Sequence, residues 1–291
     1  TVALQPVFGR AEVPDKVTVY ESSITLSAYP FEQFQSDAID PVYGWPYKRF
    51  DMEGFRSAVS EGRAKPAPRT FLTLVLENRY LRATILPALG GRLLQVELKS
   101  SGTRMFYANS VLKPTAWGPA EQGGWFALGG LEWNLPVYEH GYAWGEPWGY
   151  IPMQFDSQHA AVTVFTPQDG RALSLSVTMT LRAGSAALEI EPTLTNVSGE
   201  PLRFDYWHNA MLAPGDGQSG TGGIHFILPT DEMMVHSSAD PRLPAGGQRV
   251  TWPMFGGRDA GLGQHHPLVL QLPATSSPKP FRAAPFPSRP N

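Results

Sequence analysis

Between Leu173 and Leu181 every second residue is apolar: Leu173, Leu175, Val177, Met179 and Leu181 alternate with Ser174, Ser176, Thr178 and Thr180. In an extended chain successive side chains point to opposite faces, so this period of two predicts a strand with one buried and one polar face. Ala183-Gly184-Ser185 turns the chain, and Leu188, Ile190 and Leu194 alternate with Glu189, Glu191, Thr193 and Thr195 on the return. Shorter strand signals precede this pair at Phe71–Leu76, Tyr80–Leu86, Arg92–Leu98 and Arg104–Tyr107, and one follows at Leu202–Met211. Gly (29) and Pro (28) make up roughly a fifth of the 291 residues, against about 12% in average proteins. Pro lacks a backbone donor and Gly has extra backbone entropy to lose, so long helices are disfavoured. Only Met52–Glu61 reads as a short helix. The expected fold class is mainly β, an antiparallel two-sheet sandwich.

Three stretches divide the chain. Residues 1–69 mix aromatics, Pro and charges, with periodicity only at Val17–Leu26, and read as an N-terminal extension packed on the sandwich. Residues 70–262 carry the sandwich. Residues 263–291 are Pro-rich, and only Leu268–Leu272 within them reads as a strand. That tail is expected to be disordered or non-native, the mark of a truncated or frame-shifted sandwich. The net charge of −3 and the absence of a basic run argue against nucleic acid as a partner. No cysteine is present, which excludes a thiolate nucleophile and Cys-ligated zinc. No apolar run approaches the ~18 residues of a membrane span, and Thr1–Arg10 has no signal-peptide pattern. A soluble protein is expected, with the cytoplasm the favoured compartment. HExxH, an Asp-rich calcium loop, GxSxG, a P-loop and a dinucleotide fingerprint are all absent. The adjacent His265 and His266 diverge on a strand. No metal and no cofactor are expected.

Residues 112–153 are dense in Trp, Gly and Pro, and a long irregular segment in a compact domain is usually functional. Five of the eight tryptophans lie here: Trp117, Trp125, Trp133, Trp144 and Trp148. Among them runs Gly129-Gly130-Leu131-Glu132-Trp133-Asn134-Leu135-Pro136, followed by Glu139 and His140. Sugar rings offer apolar C–H faces that stack on aromatic planes, and hydroxyls that need carboxylate and amide partners. The alternative is that the tryptophans plug the end of a sandwich. A second cluster is Asp205-Tyr206-Trp207-His208-Asn209. On a strand Asp205, Trp207 and Asn209 would share one face, and Tyr206 and His208 the other. A buried polar network is the competing reading there.

Four segments carry a resemblance to a known family: VTVYESSITLSAYP (17–30), LENRYLRATILPALGGRLLQVELKSSGTRMFYANSVLKP (76–114), GGLEWNLP (129–136) and FDYWHNAML (204–212). In order and spacing they resemble an uncharacterised bacterial family, domain of unknown function 5107. Its members adopt the galactose-mutarotase-like supersandwich, often ahead of tetratricopeptide repeats. The resemblance implies that fold, and through its superfamily it implies carbohydrate chemistry. Matching Asn209 to the aldose-epimerase Asn puts Asp205, not a His, at the acid position. No Glu follows Glu232 to serve as the late-strand base.

The expected function is carbohydrate binding on a concave aromatic-lined face, with acid/base chemistry on a sugar ring or glycosidic bond. Glu132, His140, Asp205 and His208 are the catalytic candidates. Arg92, Lys113, Trp133, Asn134, Glu139, Trp207 and Asn209 are the substrate-binding candidates, with Arg92 alternatively the partner of a buried carboxylate. A non-catalytic sugar-binding module and a structural domain are the alternatives. The sequence leaves the sugar, the reaction and the oligomeric state open.

Overall fold

The computed structural model describes residues 15–116, 124–126, 128–137, 140–215, 225–235, 244–259, 261 and 270–271. The chain is mainly β and divides into two compact units, residues 1–211 and 212–291.

The first unit runs β1 (Thr18–Ala28), β2 (Gln35–Asp40), β3 (Trp45–Phe50), α1 (Met52–Ser60), β4 (Ala67–Glu77), β5 (Leu81–Leu86), β6 (Arg92–Leu98) and β7 (Thr103–Phe106). Next come β8 (Val111–Leu112), β9 (Pro114–Thr115), β10 (Trp125–Phe126) and β11 (Leu131–Asn134). β12 (Gly149–Gln154), β13 (His159–Phe165), β14 (Leu173–Arg182), β15 (Leu188–Asn196) and β16 (Trp207–Ala210) complete it. Two sheets form. One has the order β16-β11-β6-β5-β4-β1-β8, with β7 beside β6; the other is β12-β13-β14-β15. The apolar row of β14 is wholly buried, as its alternation requires, and packs with Leu74, Leu76, Ile85, Leu93 and Trp133 into one core between the sheets.

The first sheet is also covered on its other face. Phe71, Leu86, Leu94 and Leu112 point there and pack with Phe31, Phe50, Phe126 and Trp144. Residues 15–69 therefore do two things. β1 pairs with β4 along eleven residues inside the sheet, and the segment after it covers the second face. Helix α1 is capped by Asp51, whose carboxylate accepts from the Gly54 N–H at 2.9 Å, and it buries Phe55 and Ala58.

Two Gly-Gly turns bring backbone against backbone. A Cβ on Gly90 (φ +77°) would lie 2.4 Å from the Trp144 carbonyl oxygen. One on Gly129 (φ +98°) would lie 1.9 Å from that of Tyr107. Only glycine allows both the left-handed turn and that approach. The turns feed β6 and β11, so the side chains that begin those strands are fixed in position.

In the second unit β17 (Leu212–Gly215) is followed by β18 (Glu232–Val235), β19 (Arg249–Thr251), β20 (Met254–Phe255), β21 (Arg258–Asp259) and β22 (Leu270–Gln271). β18 pairs with both β19 and β22, and Met233, Val235, Val250 and Trp252 form a small core. β20 and β21 are a hairpin turning at Gly256-Gly257. The strand expected at Leu268–Leu272 is described only at β22; the rest of the tail lies outside the described residues, as does Thr1–Arg10. Among the described residues, no helix is long and apolar enough to cross a membrane.

Candidate functional site

The register of three strands assembles the site. Glu132 is opposite Asn209 and Asn134 opposite Trp207, while Trp133 is opposite His208. Directly opposed residues share a face. Glu132, Asn134, Trp207 and Asn209 therefore face one side, and Trp133 and His208 the other. Leu131 pairs with Leu93, which brings Arg92 of β6 beside Glu132.

Arg92 and Glu132 are 1% and 2% exposed. Arg92 Nη2 donates to Glu132 Oε2 at 2.9 Å, and Nη1 donates to the Gly129 carbonyl at 2.7 Å. The other carboxylate oxygen, Oε1, is bonded to His140 Nδ1 and accepts from Asn209 Nδ2 at 3.3 Å. Burial is the largest influence on Glu132 and raises its pKa. The Arg92 charge, His140 and the Asn209 amide together outweigh burial and hold the carboxyl below its ordinary value. His140 keeps 17% of its side chain exposed. Its ring lies between two indoles, 4.0 Å from the Trp125 ring centre and 5.3 Å, edge to face, from that of Trp207.

The result is an imidazole clamped by tryptophans and oriented from behind by an ionised carboxylate. Glu132 is bonded to the Nδ1 side of the ring. Both Glu132 oxygens have partners within the protein.

Several candidate residues fall elsewhere. Trp133 was expected on the sugar face but is fully buried in the opposite core, with its Nε1 donating to the Gly91 carbonyl at 3.0 Å. Asn134 shares the Glu132 face but is fully buried, and neither of its amide atoms has a hydrogen-bond partner. No ligand reaches it in this conformation. The strand expected over Leu202–Met211 is regular only at β16. The Asp205 N–H donates to the Pro136 carbonyl at 2.8 Å, a bond that continues the β11–β16 register beyond Asn134 and Trp207, and Asp205 is exposed. His208 lies on the Trp133 face, their ring centres 6.4 Å apart. Its pKa is pushed down by the surrounding protein, although its own surface stays exposed. Lys113 is exposed between β8 and β9. Trp117 and Glu139 lie outside the described residues.

Sequence reasoning placed Trp125 in the aromatic cluster without pairing it to His140. It missed a second buried ionic group altogether. Arg171, itself 2% exposed, donates to Glu146 at 2.6 and 3.0 Å and to Asp169 at 2.6 and 2.5 Å, and it lies 4.2 Å from the Trp45 ring centre. Burial is the largest influence on Glu146 and lifts its carboxyl to about 7. Asp169 adds to the rise, and Arg171 opposes it. No local spacing announces this group, because Glu146 and Arg171 are 25 residues apart.

The fold and site define a β-rich domain of sandwich-like architecture with a buried Arg92–Glu132 pair bonded to His140 at one sheet face. The chain belongs to the family described as domain of unknown function 5107, whose model matches residues 39–243. Among solved structures it is similar to the crystal structure of a TPR-domain containing protein from Parabacteroides distasonis. The identity is 19% and the TM-score 0.61, over 84% of this chain and 38% of that one. The chain thus spans well under half of that protein, and the likeness shows the fold alone.

Proposed function

We propose that the first unit binds a carbohydrate on the face formed by Trp125, His140, Trp207 and Asn209. On this reading His140 Nε2 exchanges a proton with the bound sugar. The observation that carries it is the imidazole held between two indoles with a buried carboxylate on its Nδ1. The indoles suit the C–H face of a pyranose, the Asn209 amide suits a hydroxyl, and the oriented imidazole suits acid/base work. The galactose-mutarotase-like resemblance of the sequence agrees with this reading.

Asp205, the match to the epimerase acid position, is exposed and is not among the described residues bonded to Glu132 or His140. His140 takes its place as the group poised to act. The test is a glycan-array screen of the chain beside its Trp207→Ala and His140→Gln variants. A saturable glycan signal that falls at least tenfold in Trp207→Ala supports the reading. An empty array, or a signal in both variants equal to that of the parent chain, contradicts it.

A further inference from the structure

A cleft of about 640 Å³ in the first unit is lined by none of Glu132, His140 or Asn209. It lies behind β10. On that strand Trp125 faces His140, while its neighbour Phe126 turns into the cleft beside Trp144. The volume falls in the range of small-molecule sites. Its walls are aromatic: Phe31, Phe50, Phe71, Phe126, Tyr142 and Trp144.

The charges around it are unequal. Glu32, Asp37, Glu146 and Asp169 line the cleft, against Lys48 and Arg69. Each of those two cations is already paired, Lys48 with Asp37 and Arg69 with Glu32. Arg171, behind the wall, is taken by Glu146 and Asp169. An anionic ligand therefore meets carboxylates and no uncommitted cation among these residues. The aromatic faces, by contrast, already accept positive charge from the protein itself. The Arg69 guanidinium lies 5.1 Å from the Phe31 ring centre and 4.9 Å from that of Phe71. A ring face is the negative pole of its quadrupole, so a ligand cation gains from aromatic faces of the cleft other than those Arg69 covers.

We propose that this cleft is a second ligand site, separate from the sugar face, for a small amphipathic cation: an aromatic or alkyl body carrying an amine. The body fills the aromatic floor, and the amine meets the acidic rim at Glu146 and Asp169. The inference stands whether or not the sugar reading does.

Three probes with one ring system test it by isothermal titration calorimetry on the full chain at neutral pH: tryptamine, indole and indole-3-acetate. Tryptamine is expected to bind saturably and at least tenfold more tightly than indole-3-acetate, with indole between them. Ala38→Trp and Ala88→Trp, each at a half-buried lining position, are expected to weaken tryptamine at least tenfold while the far-ultraviolet spectrum stays that of the parent. Two separate filling positions keep the test decisive if one variant misfolds. Asp37→Lys should narrow the preference for tryptamine over indole-3-acetate. No saturable binding, equal affinity for all three probes, or tryptamine binding that survives both fillings would each overturn the proposal.

Discussion

Two buried arginine–carboxylate groups in one unit reach opposite electrostatic outcomes. At Arg92–Glu132 the carboxylate has three partners and is held below its ordinary pKa. At Arg171–Glu146 the arginine is shared with Asp169, and burial prevails, so Glu146 rises to about 7. The count of compensating donors decides the sign, because burial acts upward on both acids. The first acid is a fixed negative charge that can orient an imidazole. The second sits near neutrality at the wall of a cleft.

The strongest way to break this comparison is to remove each arginine. Arg92→Met strands a buried carboxylate and should cost about 3–5 kcal/mol in denaturant unfolding. Arg171→Met should cost less, about 1–3 kcal/mol, because Glu146 can take up a proton near neutral pH and Asp169 reaches solvent. Equal losses would remove the distinction between the two sites.

The pH dependence sharpens it. The folded pKa of Glu146 exceeds its unfolded value of 4.5, so between about 4.5 and 7 the folded state binds more protons than the unfolded. Stability attributable to Glu146 therefore falls as pH rises through that window, by up to about 3 kcal/mol, and levels off above it. Glu146→Gln should flatten that slope in urea melts run across the window. Glu132 behaves in reverse. Its depressed pKa contributes stability above the unfolded carboxyl value and loses it as pH falls through the folded one.

A smaller effect is expected from Glu132→Gln. The amide keeps an acceptor for Arg92 but removes the charge behind His140. The variant should lose about 1–2 kcal/mol in denaturant unfolding. A variant as stable as the parent would contradict a role for the ionised carboxylate in holding His140.

How much of this was legible in the sequence follows from burial. β14 shows its alternation because one face is core and the other carries Ser and Thr. β6 and β11 lie in a sheet covered on both faces, so their side chains do not alternate by polarity. Glu132 and Asn209 were readable as candidates, yet their side of the sheet was set by the β11–β16 register. The same register sent Trp133 and His208 to the far face. The bond from the Asp205 N–H to Pro136 keeps the same register, so the period-two count extends back to Asp205 although β16 itself begins at Trp207. The cleft was invisible because its walls come in runs of one to four residues from segments spread between Phe31 and Asp169.

The most direct test of the sugar face is calorimetric titration of the strongest glycan-array ligand into the chain, its Trp125→Ala variant and its Trp207→Ala variant. Both indoles flank His140 and neither is a fully buried core residue, so both variants should keep a cooperative melt. The account predicts that each weakens binding at least tenfold, about 1.4 kcal/mol. Affinity unchanged in both variants would contradict it.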